Sequence, residues 1–283
     1  MVNISICDLR RYSKPGCFLA VNNFANPDCQ ISCFKQSHLL VELALMDEKV
    51  KRLILKKAKD WWRKEIATSH KKNTEKLVNI DRFIINPFIW SYLSYFFEGN
   101  SSAESLARVL IYPRILGTSI VTSFGQRSQQ MITKLFEGIS GSTTKGIDIE
   151  FVDKIDGRKK YCQVKAGPNV INKDDVPTIK NHFRDAMNLA RTNNLQLQNS
   201  DFMFCLLYGE DSQKNTFVKE IEKDYPVVIG EDFWRRFTGD KNFYRELIEA
   251  IRSVAKESDS KLLIETVVKK LAKQVTAKYP KLV

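Results

Sequence analysis

The residues whose types and spacing could carry chemistry lie between Gly146 and Gly167. Ile147 to Ile155 is rich in β-branched and aromatic residues, Asp156-Gly157 is a strong hairpin turn signal, and Tyr161 to Ala166 reads as the returning strand. Strand side chains alternate between two faces. Asp148, Glu150 and Val152 therefore share one face of the first strand, and Tyr161, Gln163 and Lys165 share one face of the second. If the polar faces coincide, two carboxylates, an amide oxygen and an ammonium meet at one spot. Hard oxygen ligands of this kind hold Mg²⁺ while leaving it several waters. A metal so held polarises a phosphoryl oxygen and generates a hydroxide nucleophile. Lys165 beside it could orient the water and offset charge on the phosphorane. A solvent-facing edge hairpin shows the same alternation, so spacing alone leaves both readings open.

The elements that must position this hairpin are legible on both sides of it. Asp47 to Lys76 is a helical stretch with Val50, Leu53, Ile54 and Trp61 at apolar spacing and a polar face of Lys49, Lys51, Arg52, Lys56, Lys57, Lys59, Arg63 and Lys64. That face is either solvated or a phosphate contact. Asn86-Pro87 opens an aromatic helix over Phe88 to Phe97, expected in a core, and Ser101-x-x-Glu104 is a capping box for the next helix, which Pro113 should end or kink. Thr122 or Ser123 could cap a helix from Phe124 to Glu137, whose Gln126, Arg127, Gln129 and Gln130 form a polar side able to read base edges. Gly138 to Gly146 is a Gly/Ser/Thr-rich lead into the hairpin.

Beyond Lys165 a loop carries Asn169, Asn172 and Lys173, then a helix over Ile179 to Thr192 crosses to the apolar run Phe202 to Tyr208. Tyr225 to Ile229 is a short further strand whose Pro226 suggests an edge. Strand, strand, helix, strand predicts an α/β fold with a mixed central sheet flanked by helices. Three helices then close the chain over Glu231 to Phe237, Asn242 to Lys256 and Ser260 to Lys278, with Phe233, Trp234 and Phe237 at core spacing.

Composition narrows the partners. The 283 residues carry a formal net charge of +12, which favours a polyanion such as nucleic acid. No apolar run reaches the ~20 residues of a membrane helix. Six cysteines in a charged chain without a secretory signal point to a reducing cytoplasm rather than a disulfide framework. Cys7, Cys17, Cys29 and Cys33 lack a C-x2-C pair, which weighs against a zinc site. Residues 1–45 differ in character from 46–283, which reads as the functional domain, and Met46 could itself serve as a start. His38, His70 and His182 are not placed with any nucleophile, and there is no phosphate-loop motif.

At Asp148 and Gln163-Val164-Lys165 the chain resembles the PD-(D/E)xK nuclease superfamily, with Gln at the usual acidic position. Lys165 to Val176 resembles the segment after the catalytic lysine of several type II restriction endonucleases. Leu116 to Gly125 and Ile85 to Ile89 resemble enzymes that cut GGNCC-type palindromes, and the similarity runs from Met46 to the C-terminus. The resemblance implies a restriction-endonuclease-like core in which Asp148 is the central metal ligand, the Val164 carbonyl completes the site, and Lys165 is the catalytic lysine. Gln163 would ligate through a neutral oxygen, so Glu150 or an upstream glutamate, with Glu104 preferred to Glu98 and Glu137, would supply further charge. It further implies Mg²⁺-dependent cleavage of both strands of duplex DNA, 5′-phosphate ends, a homodimer on a palindrome, an approach to DNA by the loop carrying Asn169, Asn172 and Lys173, beside the Gln126 and Arg127 helix face, and a cognate DNA methyltransferase. Two alternatives remain at this level: a structure-directed nuclease of the junction-resolvase or transposon-end type, and a non-catalytic DNA-binding protein in which Gln163 marks a decayed site.

Overall fold

A computed structural model describes residues 46–136, 139, 142, 144–257 and 260–283. The N-terminal residues 1–45, with their four cysteines, Glu137, and part of the glycine-rich lead into the hairpin lie outside the described residues.

The N-terminal helix α1 (Glu48–Trp61) starts where the Asp47 carboxylate accepts the N–H groups of Lys49 and Val50. It runs through a π turn (Trp62–Ala67) into α2 (Thr68–Glu75). Its buried stripe is Ile54, Ala58 and Trp61, whereas Val50 and Leu53, expected on that stripe, are half exposed. Lys51 also departs from its expected solvent face. It is buried, and its ammonium contacts Asp240 at 2.9 Å, Glu48 at 2.8 Å and Glu246 at 3.2 Å. Lys49, Arg52 and Lys56 stay exposed.

Helix α3 (Pro87–Glu98) has Asn86 as its cap, proline in its first turn and Gly99 at φ +72° beyond its end. It lies against α4 (Ala103–Pro113), and α4 lies against the last helix, α10 (Ser260–Lys278). The Arg108–Glu265 pair, bonded at 2.8 and 3.0 Å, ties α4 to α10. Pro113 ends α4 as a regular helix, but the chain does not stop there. A π turn (Arg114–Thr118) leads directly into α5 (Ser119–Leu135), so the helix expected to begin near Phe124 starts earlier and needs no hydroxyl cap.

The sheet contains β1 (Ile149–Val152), β2 (Lys159–Lys165), β3 (Phe202–Leu206) and β4 (Val227–Ile229), in spatial order β1-β2-β3-β4. The first pair is antiparallel and the others are parallel. It is the mixed sheet the element order predicts, with β4 at an edge. Helix α6 (Asp175–Thr192) makes the crossover from β2 to β3, and α7 (Thr216–Glu222) the one from β3 to β4.

Alternation sorts the sheet residues onto two faces. Cys162, Val164, Met203, Cys205 and Val228 pack with α1, α5, α8 (Glu231–Thr238) and α9 (Phe243–Ala255). Phe202, Phe204, Leu206, Val227 and Ile229 pack on the opposite face with Val176, Ile179 and Phe183 of α6. Phe233, Trp234 and Phe237 are buried as their spacing predicts, and the Trp234 indole N–H donates to the Leu207 carbonyl at 2.9 Å.

Candidate active site

The hairpin that brings the polar residues together is held at its tip by charge. Gly157 takes φ +71° in the turn, Arg236 donates to the fully buried Asp153 at 2.9 Å, and Arg158 grips Asp201 through two nitrogens at 2.7 and 2.5 Å. The antiparallel register pairs Ile149 with Cys162 and Glu150 with Tyr161, so Asp148, one residue earlier, stands opposite Gln163. Its N–H donates to the Cys162 carbonyl at 2.8 Å. There the ladder ends, and the Asp148 side chain turns back. Its Oδ2 accepts the Val164 N–H at 2.7 Å.

Gln163 lies on the same face of β2 as Lys165, two residues on. It is 8% exposed, and its Oε1 is buried without a hydrogen-bond partner among the described residues. Such an orphaned oxygen costs roughly 1–3 kcal/mol unless something that accepts its lone pairs occupies the space. Burial pushes the Asp148 carboxyl above the ordinary carboxylate range, against the opposing pull of the Val164 N–H, Lys165 and His182. Desolvation thus outweighs the partners that favour the charged form.

Glu150 shares this face but is already engaged. Its Oε1 accepts from the Ser142 hydroxyl at 2.7 Å and its Oε2 pairs with Lys159 at 2.7 Å. Burial raises its carboxyl, but Lys159 and Ser142 outweigh that effect and hold it below the usual range. Glu104 is exposed in the first turn of α4, on the helical unit shared with α10. The path from Glu104 through α4, the π turn and α5 to Gln129 is unbroken helix, roughly 35 Å measured along the axis. The structure does not bring Glu104 to the hairpin, because it belongs to the far end of that rod.

Two residues outside the hairpin approach the cluster from flanking helices. Gln129 of α5, assigned to a base-reading face, donates its side-chain N–H to the Val164 carbonyl at 3.2 Å. His182 of α6, left without a role, packs on Gly146 and lies near enough to Asp148 to lower its carboxyl electrostatically. A methyl group on Gly146, which has φ +80°, would meet the His182 ring at 2.1 Å. A glycine directly before the strand was the available signal.

The remaining candidates scatter. Arg127 approaches Glu65 at 3.7 Å, and Gln126 lines a hollow with Asn73, Leu77, Arg82, Arg114 and Thr118. Asn169 and Lys173 are exposed on the loop after β2. Asn172 there closes the start of α6: its Oδ1 accepts the Asp174 and Asp175 N–H groups at 2.8 and 3.2 Å, and its own N–H donates to Asp175 at 2.7 Å.

Among the described residues no three His, Cys, Asp or Glu side chains converge on one point. A hard cation would instead need oxygens of mixed type. Asp148, the unpartnered Gln163 Oε1 and the Val164 carbonyl, which keeps a second lone pair beside its bond to Gln129, form such a set. These residues fit Mg²⁺.

A four-stranded mixed sheet flanked by helices, with this cluster where the hairpin ladder ends, is consistent with a restriction-endonuclease-like fold. The chain belongs to the family of the type II restriction endonuclease EcoO109I, whose pattern matches residues 49–259. Membership places it among the DNA nucleases, with DNA as the family's substrate. No match was found among curated proteins. No helix among the described residues is long and apolar enough to cross a membrane.

Proposed function

We propose that this chain is a Mg²⁺-dependent type II restriction endonuclease of the PD-(D/E)xK kind that cuts both strands of duplex DNA at a short palindrome. The observation that carries the reading is the buried, unpartnered Gln163 Oε1 on the strand position opposite Asp148, with Lys165 next on the same strand face. Mg²⁺ held by Asp148, Gln163 and the Val164 carbonyl would supply Lewis-acid polarisation of the scissile phosphate and an activated water. Lys165 orients that water and offsets charge developing on the phosphoryl oxygens. Gln129 steadies the Val164 carbonyl from α5, and His182 steadies Asp148 from α6. Exposed Asn169 and Lys173, on the loop leaving β2, contact the duplex, together with Gln126 and Arg127. Two-fold DNA calls for a homodimer, a GGNCC-type site suits guanine-reading arginines, and a cognate methyltransferase would protect the host.

The test is incubation of long unmethylated DNA with the purified full chain, in Mg²⁺ and in EDTA, beside Lys165→Ala. Discrete fragments requiring both Mg²⁺ and Lys165 are expected, and their ends define the site. Intact DNA in every divalent metal, with salt-sensitive binding retained, would overturn the reading in favour of a DNA-binding protein. Cleavage only at branched or transposon-end substrates would overturn it in favour of a structure-directed nuclease.

A further inference from the structure

The aromatic helix α3 does not do what its composition predicts. An apolar helix of this kind belongs in a core. Trp90 and Leu93 pack against the α4–α10 cluster, Ser94 is fully buried, and Phe97 meets Tyr112 edge-on. The opposite face carries Phe88, Ile89, Tyr92, Tyr95 and Phe96, and it is open. Phe88 is 86% exposed, Phe96 is 74% exposed and Tyr92 is 64% exposed, and Ile84 just upstream is more exposed still. Tyr92 and Phe96 stack on each other at 5.8 Å between ring centres. At 100° per residue these positions form one continuous stripe with no charged side chain in it.

We propose that this face of α3 packs against the same face of a second copy of the chain. Area is the first argument. At about 200 Å² per large side chain, the exposed fractions of Ile84 and the α3 residues amount to roughly 900 Å² per protomer. The largest apolar patch of an ordinary monomer is about 300–600 Å², and a stable dimer buries about 800 Å² on each partner. Charge is the second. A stripe without charge asks for no counter-charge, so it is complementary to itself, as a two-fold contact requires. Aromatic side chains are also the residues that carry most of the energy at such contacts. The inference rests on the proposed function in one respect: cleavage of both strands of a palindrome makes a second copy the occupant of choice. Attachment of α3 through Ser94, Trp90 and Leu93 would then couple the dimer contact to the α4–α5 rod, whose far end touches the Val164 carbonyl.

Sedimentation velocity of the full chain, without DNA, tests this. The wild type is expected to be a dimer at micromolar concentration, and Phe88→Ser with Phe96→Ser to weaken the dimer by about 100-fold or more while leaving the thermal melt cooperative. Because both side chains are exposed in the protomer, their loss removes contacts to the partner rather than to the core. Tyr92→Cys, near the middle of the stripe, is expected to form a disulfide-linked dimer on oxidation through residue 92 of both copies, beside a wild-type control for the native cysteines. A monomeric wild type, a dimer indifferent to the double substitution, or a residue 92 that never links to its own counterpart would each overturn the proposal. Palindrome cleavage by a protein whose dimer maps elsewhere would remove this interface and leave the proposed function standing. A dimer mapped to α3 in a chain that cuts no DNA would do the reverse.

Discussion

The Val164 N–H donates to Asp148 Oδ2 at 2.7 Å, so a side chain takes over where the β1–β2 backbone ladder stops. This bond holds the carboxylate against β2 and leaves Oδ1 for other use. Asp148→Asn keeps an acceptor for Val164 and removes the charge. Cleavage is expected to fall about 1,000-fold or more. The thermal midpoint should hold or rise, because desolvation disfavours the charged form of this half-buried carboxyl and the substitution neutralises it. Single-turnover cleavage beside a thermal melt measures both, and undiminished cleavage would take Asp148 out of the site.

Gln163→Glu puts a second carboxylate against Asp148. Without metal the two like charges should repel and lower the melting temperature. With Mg²⁺ the added charge should tighten binding by about tenfold, so the stabilisation by Mg²⁺ grows relative to wild type. Melting curves across a Mg²⁺ titration report this without relying on activity. Equal Mg²⁺ responses in the two proteins would mean that residue 163 does not face the cation.

Gly146→Ala should be costly for two separate reasons. The residue sits at φ +80°, and a methyl group there collides with the His182 ring. A loss of about 1–3 kcal/mol in urea unfolding is expected. Combining it with His182→Ala removes the ring but leaves the His182 Cβ 2.5 Å from the added methyl, so part of the collision cost should be recovered and the backbone part retained. Absence of any recovery would show that His182 does not pack on the glycine.

Lys51→Met tests the buried ammonium that joins α1 to the segment between α8 and α9. Three neighbouring carboxylates raise the Lys51 ammonium further above its ordinary value despite burial. Burial raises Asp240 too, but Lys51 and the backbone N–H groups outweigh it and hold its carboxyl below the ordinary range. A carboxyl with a lowered folded pKa contributes stability above its unfolded value, near 3.9, and loses it as pH falls through the folded value. An ammonium with a raised pKa contributes below its unfolded value, near 10.4, and loses it as pH rises through the folded one. Substitution should cost about 3 kcal/mol at neutral pH, and the difference from wild type should shrink in acid below roughly pH 4. Chemical denaturation at neutral and acid pH measures it. A difference that persists undiminished in acid would point to lost packing instead of lost charge.

That Asp148, Gln163 and Lys165 share one strand face was readable from the sequence because a strand has a period of two, and a turn as strong as Asp156-Gly157 sets which strands pair. The mixed sheet, the crossover helix and the three closing helices were readable for the same reason, since caps, glycines and local periodicity act within a few residues. Periodicity states which side chains share a face, but not what that face will meet. Only tertiary packing, which acts between residues far apart in the chain, turned the α3 aromatics outward while Trp90 and Ser94 took the inner side. It buried Lys51 against Asp240, 189 positions away. It also left Glu104 at the distant end of a rod and brought Gln129 to the Val164 carbonyl and His182 onto Gly146, from helices on opposite faces of the sheet.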